Sequence, residues 1–195
     1  ISNRLKIRNF TSITNSDDIN DNFINTLIME DEPFTSFRQI SHHKLYDDFK
    51  SDGATVIMES SGGDEIGGGY TGFIWPLFLD EIREIGFDRA LYNFYKSLKF
   101  HGFTKEKINN FINAGINNQK FYGTSTSDGQ SIFNDKLFLK TYEKKFDNGA
   151  PTYKKKFKSN LLNSQYIELF HTKLPRGLRY VDRASSYSGR EARVP

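Results

Sequence analysis

The stretch that most constrains this chain runs from Ala54 to Tyr70. It reads Ala54-Thr55-Val56-Ile57-Met58, then Glu59-Ser60-Ser61-Gly62-Gly63-Asp64-Glu65-Ile66-Gly67-Gly68-Gly69-Tyr70. Thr55, Val56 and Ile57 are β-branched, Asp52-Gly53 precedes the run and glycines follow it. This pattern predicts a short buried strand at 54–58 that empties into a glycine-rich turn. Glycines let backbone N–H groups converge on an anion, phosphates above all. Asp64 and Glu65 inside the turn would repel phosphate. A divalent metal that bridges carboxylate and phosphate removes the contradiction, and Mg²⁺ with a nucleotide is the usual case. On spacing alone the alternative is a surface loop carrying a solvated acidic pair.

The chain has 195 residues, a length that suits one domain with a sizeable core. Its net charge is +3, which makes no global case for nucleic acid. Residues 151–195 carry ten Lys and Arg against Glu168, Asp182 and Glu191, a local excess of 10 − 3 = 7. That excess faces either phosphates or solvent. With no cysteine, this stretch holds no disulfide, thiolate metal site or cysteine nucleophile. His42 and His43 are adjacent, so they point to different faces of a helix and form no i, i+4 metal pair. No window approaches the ~20 apolar residues of a membrane helix, and the first residues do not form a signal peptide. A cytoplasmic protein without membrane or nucleic-acid partners is expected. The start at Ile1, without Met, and the abrupt end at Pro195 read as a piece of a longer chain.

Around the turn the periodicity is helical. Ser16-Asp17-Asp18 caps a short helix with Ile19, Phe23, Ile24 and Leu27 on one side. Pro33 breaks the chain, and residues 36–50 form a helix with Phe37, Ile40, Leu45 and Phe49 roughly aligned. After Tyr70, Pro76 falls in the first turn of a helix that ends at Gly86. Residues 88–100, with Leu91, Phe94, Tyr95 and Leu98, form the next, closed by Gly102. Thr104 caps a third over 104–114 with Ile108, Phe111 and Ile112. Residues 121–135 have loop composition, 133–146 are ambiguous, and Asn148-Gly149-Ala150-Pro151 breaks the chain again. Ser159 caps a last helix with Leu161, Leu162, Tyr166, Leu169 and Phe170 inward. Helix, strand and loop in this order describe an α/β domain.

The run Ser61-Gly62-Gly63-Asp64-Glu65-x-x-Gly68-Gly69-Tyr70 resembles the second signature of the asparagine synthetase family. A second segment also resembles that family, with anchors at Leu174, Pro175, Leu178, Arg179, Asp182, Arg183, Ser185, Gly189, Glu191, Arg193 and Pro195. Asp31-Glu32-Pro33-Phe34 is similar to the family's lead-in to the turn. The resemblance implies an α/β, Rossmann-like PP-loop ATP-pyrophosphatase domain with a parallel sheet and many helices, incomplete at both ends. Residues 1–195 would be a single domain of it.

The resemblance also implies a reaction. The β-carboxylate of aspartate attacks the α-phosphorus of ATP, with Mg²⁺ as cofactor. Ammonia, released from glutamine by a glutaminase domain on the same full-length chain, then displaces AMP to give asparagine. By position, Asp64 resembles the metal ligand, and Gly62 and Gly63 the backbone cradle. Ser61, Glu65 and Tyr70 complete the nucleotide-binding set. Glu191 resembles an acidic residue of the acyl-acceptor pocket, with Arg193 its support and Asp182 and Arg183 as flanking candidates. A homodimer is left open.

Four departures stand beside this. Ser61 replaces the usual Asp, Glu or Gln, so the acceptor is aspartate or another carboxylate. Glu59-Ser60 replaces the usual Ser-Gly opening, Gly67 a bulky residue, and Ser186-Tyr187 the usual Met-Ala. The family's first signature, Ser-Gly-Gly-x-Asp-Ser, is missing, and its lysine is expected beyond Pro195. The stretch alone is therefore expected to be inactive, and a non-catalytic binding protein of the same fold is the remaining alternative.

Overall fold

A computed structural model describes residues 2–34, 36–117 and 153–194. The expectations for 121–135, 133–146 and 148–151 fall outside the described residues. The chain divides into two compact units, Ile1–Ser61 with Arg176–Pro195, and Gly62–Pro175. Among the described residues it is helix-rich with one small parallel sheet, an α/β composition. No described helix is long and apolar enough to cross a membrane.

The first unit contains α1 (Ser2–Leu5), α2 (Ser16–Glu30), α3 (Arg38–Ser51) and β1 (Val56–Met58). It also holds α9 (Lys173–Ser188) from Arg176 onward, and β2 (Glu191–Arg193). α2 begins one residue earlier than the sequence suggests. Asn15 Oδ1 accepts from the Asp18 N–H at 2.9 Å and Asp18 Oδ2 accepts from the Asn15 N–H at 2.9 Å, a reciprocal capping box. The side that carries Ile19, Phe23, Ile24 and Leu27 is not the most buried one. Thr26 and Glu30 are buried, whereas Ile24 and Ile28 are exposed and Phe23 packs beside Phe34, ring centroids 5.4 Å apart. The reason lies on α3, where buried His43 bonds Glu30 Oε1 through Nε2 at 2.8 Å and turns that polar face inward. α3 buries Gln39, Ile40, His43 and Tyr46, so Ile40 is inward as expected and Phe37 is not.

β1 and β2 pair in parallel, Val56 opposite Glu191, Ile57 opposite Ala192 and Met58 opposite Arg193. The strand is shorter than 54–58, and it is not the buried strand expected: Val56 and Met58 are exposed. Their register partners on the same face are the charged Glu191 and Arg193, so that face carries polar neighbours. α9 buries Tyr180, Val181, Ala184, Ser185 and Ser188, the spacing of one helical face.

The second unit contains α4 (Gly63–Gly67), a 3-10 turn (Thr71–Phe73), α5 (Ile74–Ile85), α6 (Phe87–Phe100), α7 (Lys105–Asn117) and α8 (Asn160–Phe170). Trp75, Phe78, Ala90, Phe94, Leu98 and Ile108 form its core. Phe78 and Phe94 lie 4.7 Å apart by centroid, and Trp75 meets Phe94 edge-on at 5.7 Å. Pro76 sits in the first turn of α5, where a missing N–H costs nothing. Gly86, at φ 83°, separates α5 from α6. Thr104 caps α7 through the Lys107 N–H as expected, and the helix continues to Asn117.

Ser159 caps α8, its Oγ accepting from the Leu162 N–H at 3.1 Å. The inward side differs from expectation: Asn160, Asn163, Ser164, Ile167 and Glu168 are buried, and Leu162 and Phe170 are exposed. Asp80 of α5 causes this. Its carboxylate accepts from Ser159 Oγ at 2.6 Å, from Asn160 N and Nδ2 at 2.8 Å each, and from Leu161 N at 3.0 Å. Those bonds draw the polar end of α8 onto α5. They also hold the Asp80 carboxyl below its ordinary range, although burial alone would raise it.

Candidate active site

Ser61 is the half-buried last residue of the first unit, and Gly62 opens the second. Gly62 has φ 96° and Gly68 φ 71°, left-handed values at both ends of α4. The expected open turn is thus wound into a short helix that only glycine can begin and close without strain. Gly69 is crowded by a flexible side chain instead. A Cβ there would run into the carboxylate of Asp64, which folds back against it.

The two acids of the turn part company. Asp64 is exposed, while Glu65 is 4% exposed. The alternative reading, a solvated acidic pair, therefore fails for Glu65. Its Oε1 accepts from the Tyr70 hydroxyl at 2.8 Å. Burial, then Glu65, and then Asp64 and Glu168 push that hydroxyl well above the ordinary tyrosine range. Gln165 Nε2 donates to the carbonyls of Glu65 at 3.1 Å and Ile66 at 2.7 Å. Lys173 Nζ lies 3.6 Å from the Tyr70 ring centroid and 3.0 Å from Glu168 Oε2. The structure thus brings Asp64, Glu65 and Tyr70 together, and adds Gln165, Glu168 and Lys173, which the motif does not contain.

Asp64 offers the kind of ligand a hard cation takes, an exposed carboxylate oxygen. Among the described residues no three His, Cys, Asp or Glu side chains are grouped to hold an ion. A Mg²⁺ ion fits such a site, because it is usually held by one or two carboxylates, with phosphate oxygens and water filling the rest of its shell.

The later matching segment lies in the first unit from Arg176 onward. Glu191 and Arg193 pair at 2.7 Å with side chains 55% and 59% exposed. The two residues are i and i+2 of β2, so they share its exposed face and satisfy each other. Arg193 lowers the Glu191 carboxyl through its hydrogen bond, and Glu191 raises Arg193 in return. Asp182 is exposed on α9, and its carbonyl accepts from Ser185 Oγ at 3.0 Å. No bond joins Asp182 to Glu191 or Arg193 among the described residues. Arg183 has a buried Nη1 without a hydrogen-bond partner.

Glu59 precedes the turn in the chain, and the motif gave it no role. It follows β1, and its N–H donates to the Arg193 carbonyl at 2.8 Å. Its carboxylate accepts from Tyr46 OH at 2.7 Å and bonds His42 Nε2 at 3.2 Å. The sequence does carry a signal for this, since His42 and Tyr46 stand i, i+4 on α3. The lead-in acid Glu32 pairs with Arg179 at 2.5 Å.

The profile of the family described as Asparagine synthase matches residues 1–195, the whole chain. The comparisons with curated proteins and with solved structures return no match.

Proposed function

The chain belongs to the asparagine synthase family of ATP-dependent, amide-forming ligases, and on that premise we propose that it activates a carboxylate by adenylation. The observation that carries this reading is the turn itself: Asp64 is exposed beside Gly69, while Glu65 is tied inward to Tyr70. A turn of this composition suits a polyphosphate, and the division of labour between its acids leaves one carboxylate for a cation. We assign the surrounding fold to the Rossmann-like PP-loop class by the same family premise.

A free carboxylate is a poor electrophile, so it must first gain a leaving group. An oxygen of the acceptor's carboxylate attacks the α-phosphorus of ATP, and the bond to pyrophosphate breaks. Ammonia then adds to the acyl carbon, the bond to AMP breaks, and the nitrogen releases a proton. Mg²⁺, when bound, neutralises phosphate charge during the first step. In this reading Asp64 holds that ion, Gly62 and Gly63 keep side chains away from the phosphates, and Ser61, Glu65 and Tyr70 hold the shape of the turn. Glu191, supported by Arg193, and Asp182 serve the acceptor. Aspartate is the acceptor we favour, with ammonia drawn from glutamine by a glutaminase domain on the same full-length chain. The short hydroxyl side chain of Ser61 favours a second reading, in which another carboxylic acid is adenylated.

The test uses the complete protein. AMP and pyrophosphate release is measured with ATP, Mg²⁺, glutamine and aspartate, then with other carboxylic acids in place of aspartate. Release that depends on aspartate, and falls about a hundredfold in Asp64→Ala, is the expected result. Release that depends on a different acid moves the assignment to the second reading. A protein that binds ATP yet turns over no acid, with Asp64→Ala behaving as wild type, sinks the catalytic reading.

A further inference from the structure

Lys173 opens α9 and is nearly enclosed. Its side chain is 15% exposed, and its partner Glu168, 3.0 Å away, is 7% exposed. The same ammonium stands over the Tyr70 ring at 3.6 Å from the centroid. A cation on an aromatic face is attracted to the ring's negative quadrupole, and by drawing electron density it makes the phenol a stronger donor. The Tyr70 hydroxyl spends that donor on Glu65 Oε1 at 2.8 Å. Four side chains therefore form one run, Glu168 to Lys173 to Tyr70 to Glu65, all within the Gly62–Pro175 unit.

The backbone of the turn is held as well. Gln165 donates to the carbonyls of Glu65 and Ile66. Leu174 lies over Gly62, where an added Cβ would meet its Cδ2 at 3.6 Å. Charged groups buried this deeply are tolerated only when paired, so each member of the run fixes the next. The consequence falls on the two neighbouring acids. With Glu65 committed to Tyr70, the exposed Asp64 is the carboxylate left to face outward.

We infer that Lys173 is a positioning residue for this turn: acting through Tyr70 it holds Glu65 inward, and so leaves Asp64 to take a divalent cation. The inference rests on the proposed reading of the turn as a metal–nucleotide site. It assigns Lys173 no contact with the reacting atoms.

The experiment measures Mn²⁺ binding to the complete protein by electron paramagnetic resonance, with and without ATP, so that no turnover is needed. Wild type binds Mn²⁺ and Asp64→Asn loses it. Lys173→Met and Tyr70→Phe each weaken binding about tenfold, and the double variant is no weaker than either single one, because both act along one path. Lys173→Arg keeps a cation on the ring and stays within about threefold of wild type. Unchanged Mn²⁺ affinity in Lys173→Met, or losses that add in the double variant, overturns the role of Lys173 and leaves that of Asp64 standing. Should Lys173→Met not fold, Tyr70→Phe decides: a tenfold loss supports the inference and unchanged affinity overturns it. Wild-type binding that is indifferent to Asp64→Asn overturns the reading of the turn, and this inference with it.

Discussion

Gly63 and Gly69 bracket Asp64 but differ in the space around them. A Cβ on Gly63 meets nothing within 4 Å, whereas one on Gly69 strikes the Asp64 carboxylate. Gly69→Ala is therefore expected to displace that carboxylate and to cut AMP release about tenfold or more, with little change in melting temperature. Gly63→Ala should melt like wild type. If it nevertheless abolishes AMP release, the space beside Gly63 is occupied by substrate during the reaction. Glu59 supplies a prediction in pH. His42, and after it Tyr46, hold its carboxyl below the ordinary value of 4.5 against the opposing effect of burial. A folded pKa below the unfolded one means a contribution that is complete above about 4.5 and is lost as pH falls through the lower folded value. Melting curves of Glu59→Gln across pH 3 to 7 should thus start from lower stability at neutral pH and decline less steeply at the acid end. At this scale the glycines that open and close α4 were legible in the sequence, because their demands are local backbone demands. The inward turn of Glu65 was not, since its holders include Gln165, 100 residues away in the chain.

Elements were legible where capping and apolar spacing agree. α5, α6 and α7 lie close to where Pro76, Gly86, Gly102 and Thr104 place them, and their aromatic residues do form the core. The buried faces of α2 and α8 are largely polar for one physical reason. Each turns a polar face inward because its polar groups meet partners on a neighbouring helix, Glu30 of α2 with His43 and the donors at the start of α8 with the Asp80 carboxylate. Hydrophobic periodicity carries no record of such bonds. Asp80→Ala removes an acceptor that serves four donors around the start of α8. It is expected to cost about 2 kcal/mol or more, read as a lower denaturant midpoint with an unchanged slope. Phe94→Ala empties the space between Trp75 and Phe78 and should cost about 3–5 kcal/mol. Trp75 is the single tryptophan of the chain, so its fluorescence reports that loss directly.

The two units differ in how the chain builds them. Gly62–Pro175 is continuous, whereas the other unit needs both Ile1–Ser61 and Arg176–Pro195. Its sheet joins Val56 to Glu191, partners separated by 191 − 56 = 135 residues. No local signal announces such a pairing, which is why the strand was legible and its partner was not. Long-range closure of this kind is slow compared with helix formation. In refolding, Trp75 fluorescence is accordingly expected to recover before the signals of tyrosines in the discontinuous unit, such as Tyr46 and Tyr180. On a ribosome the delay becomes a waiting time. At roughly 5–20 residues per second, Val56-Ile57-Met58 emerges roughly 7–27 s before the strand that will lie beside it. For that interval an apolar strand edge is unpaired in a crowded compartment, and a nascent chain halted short of Glu191 should be the species that chaperones hold longest.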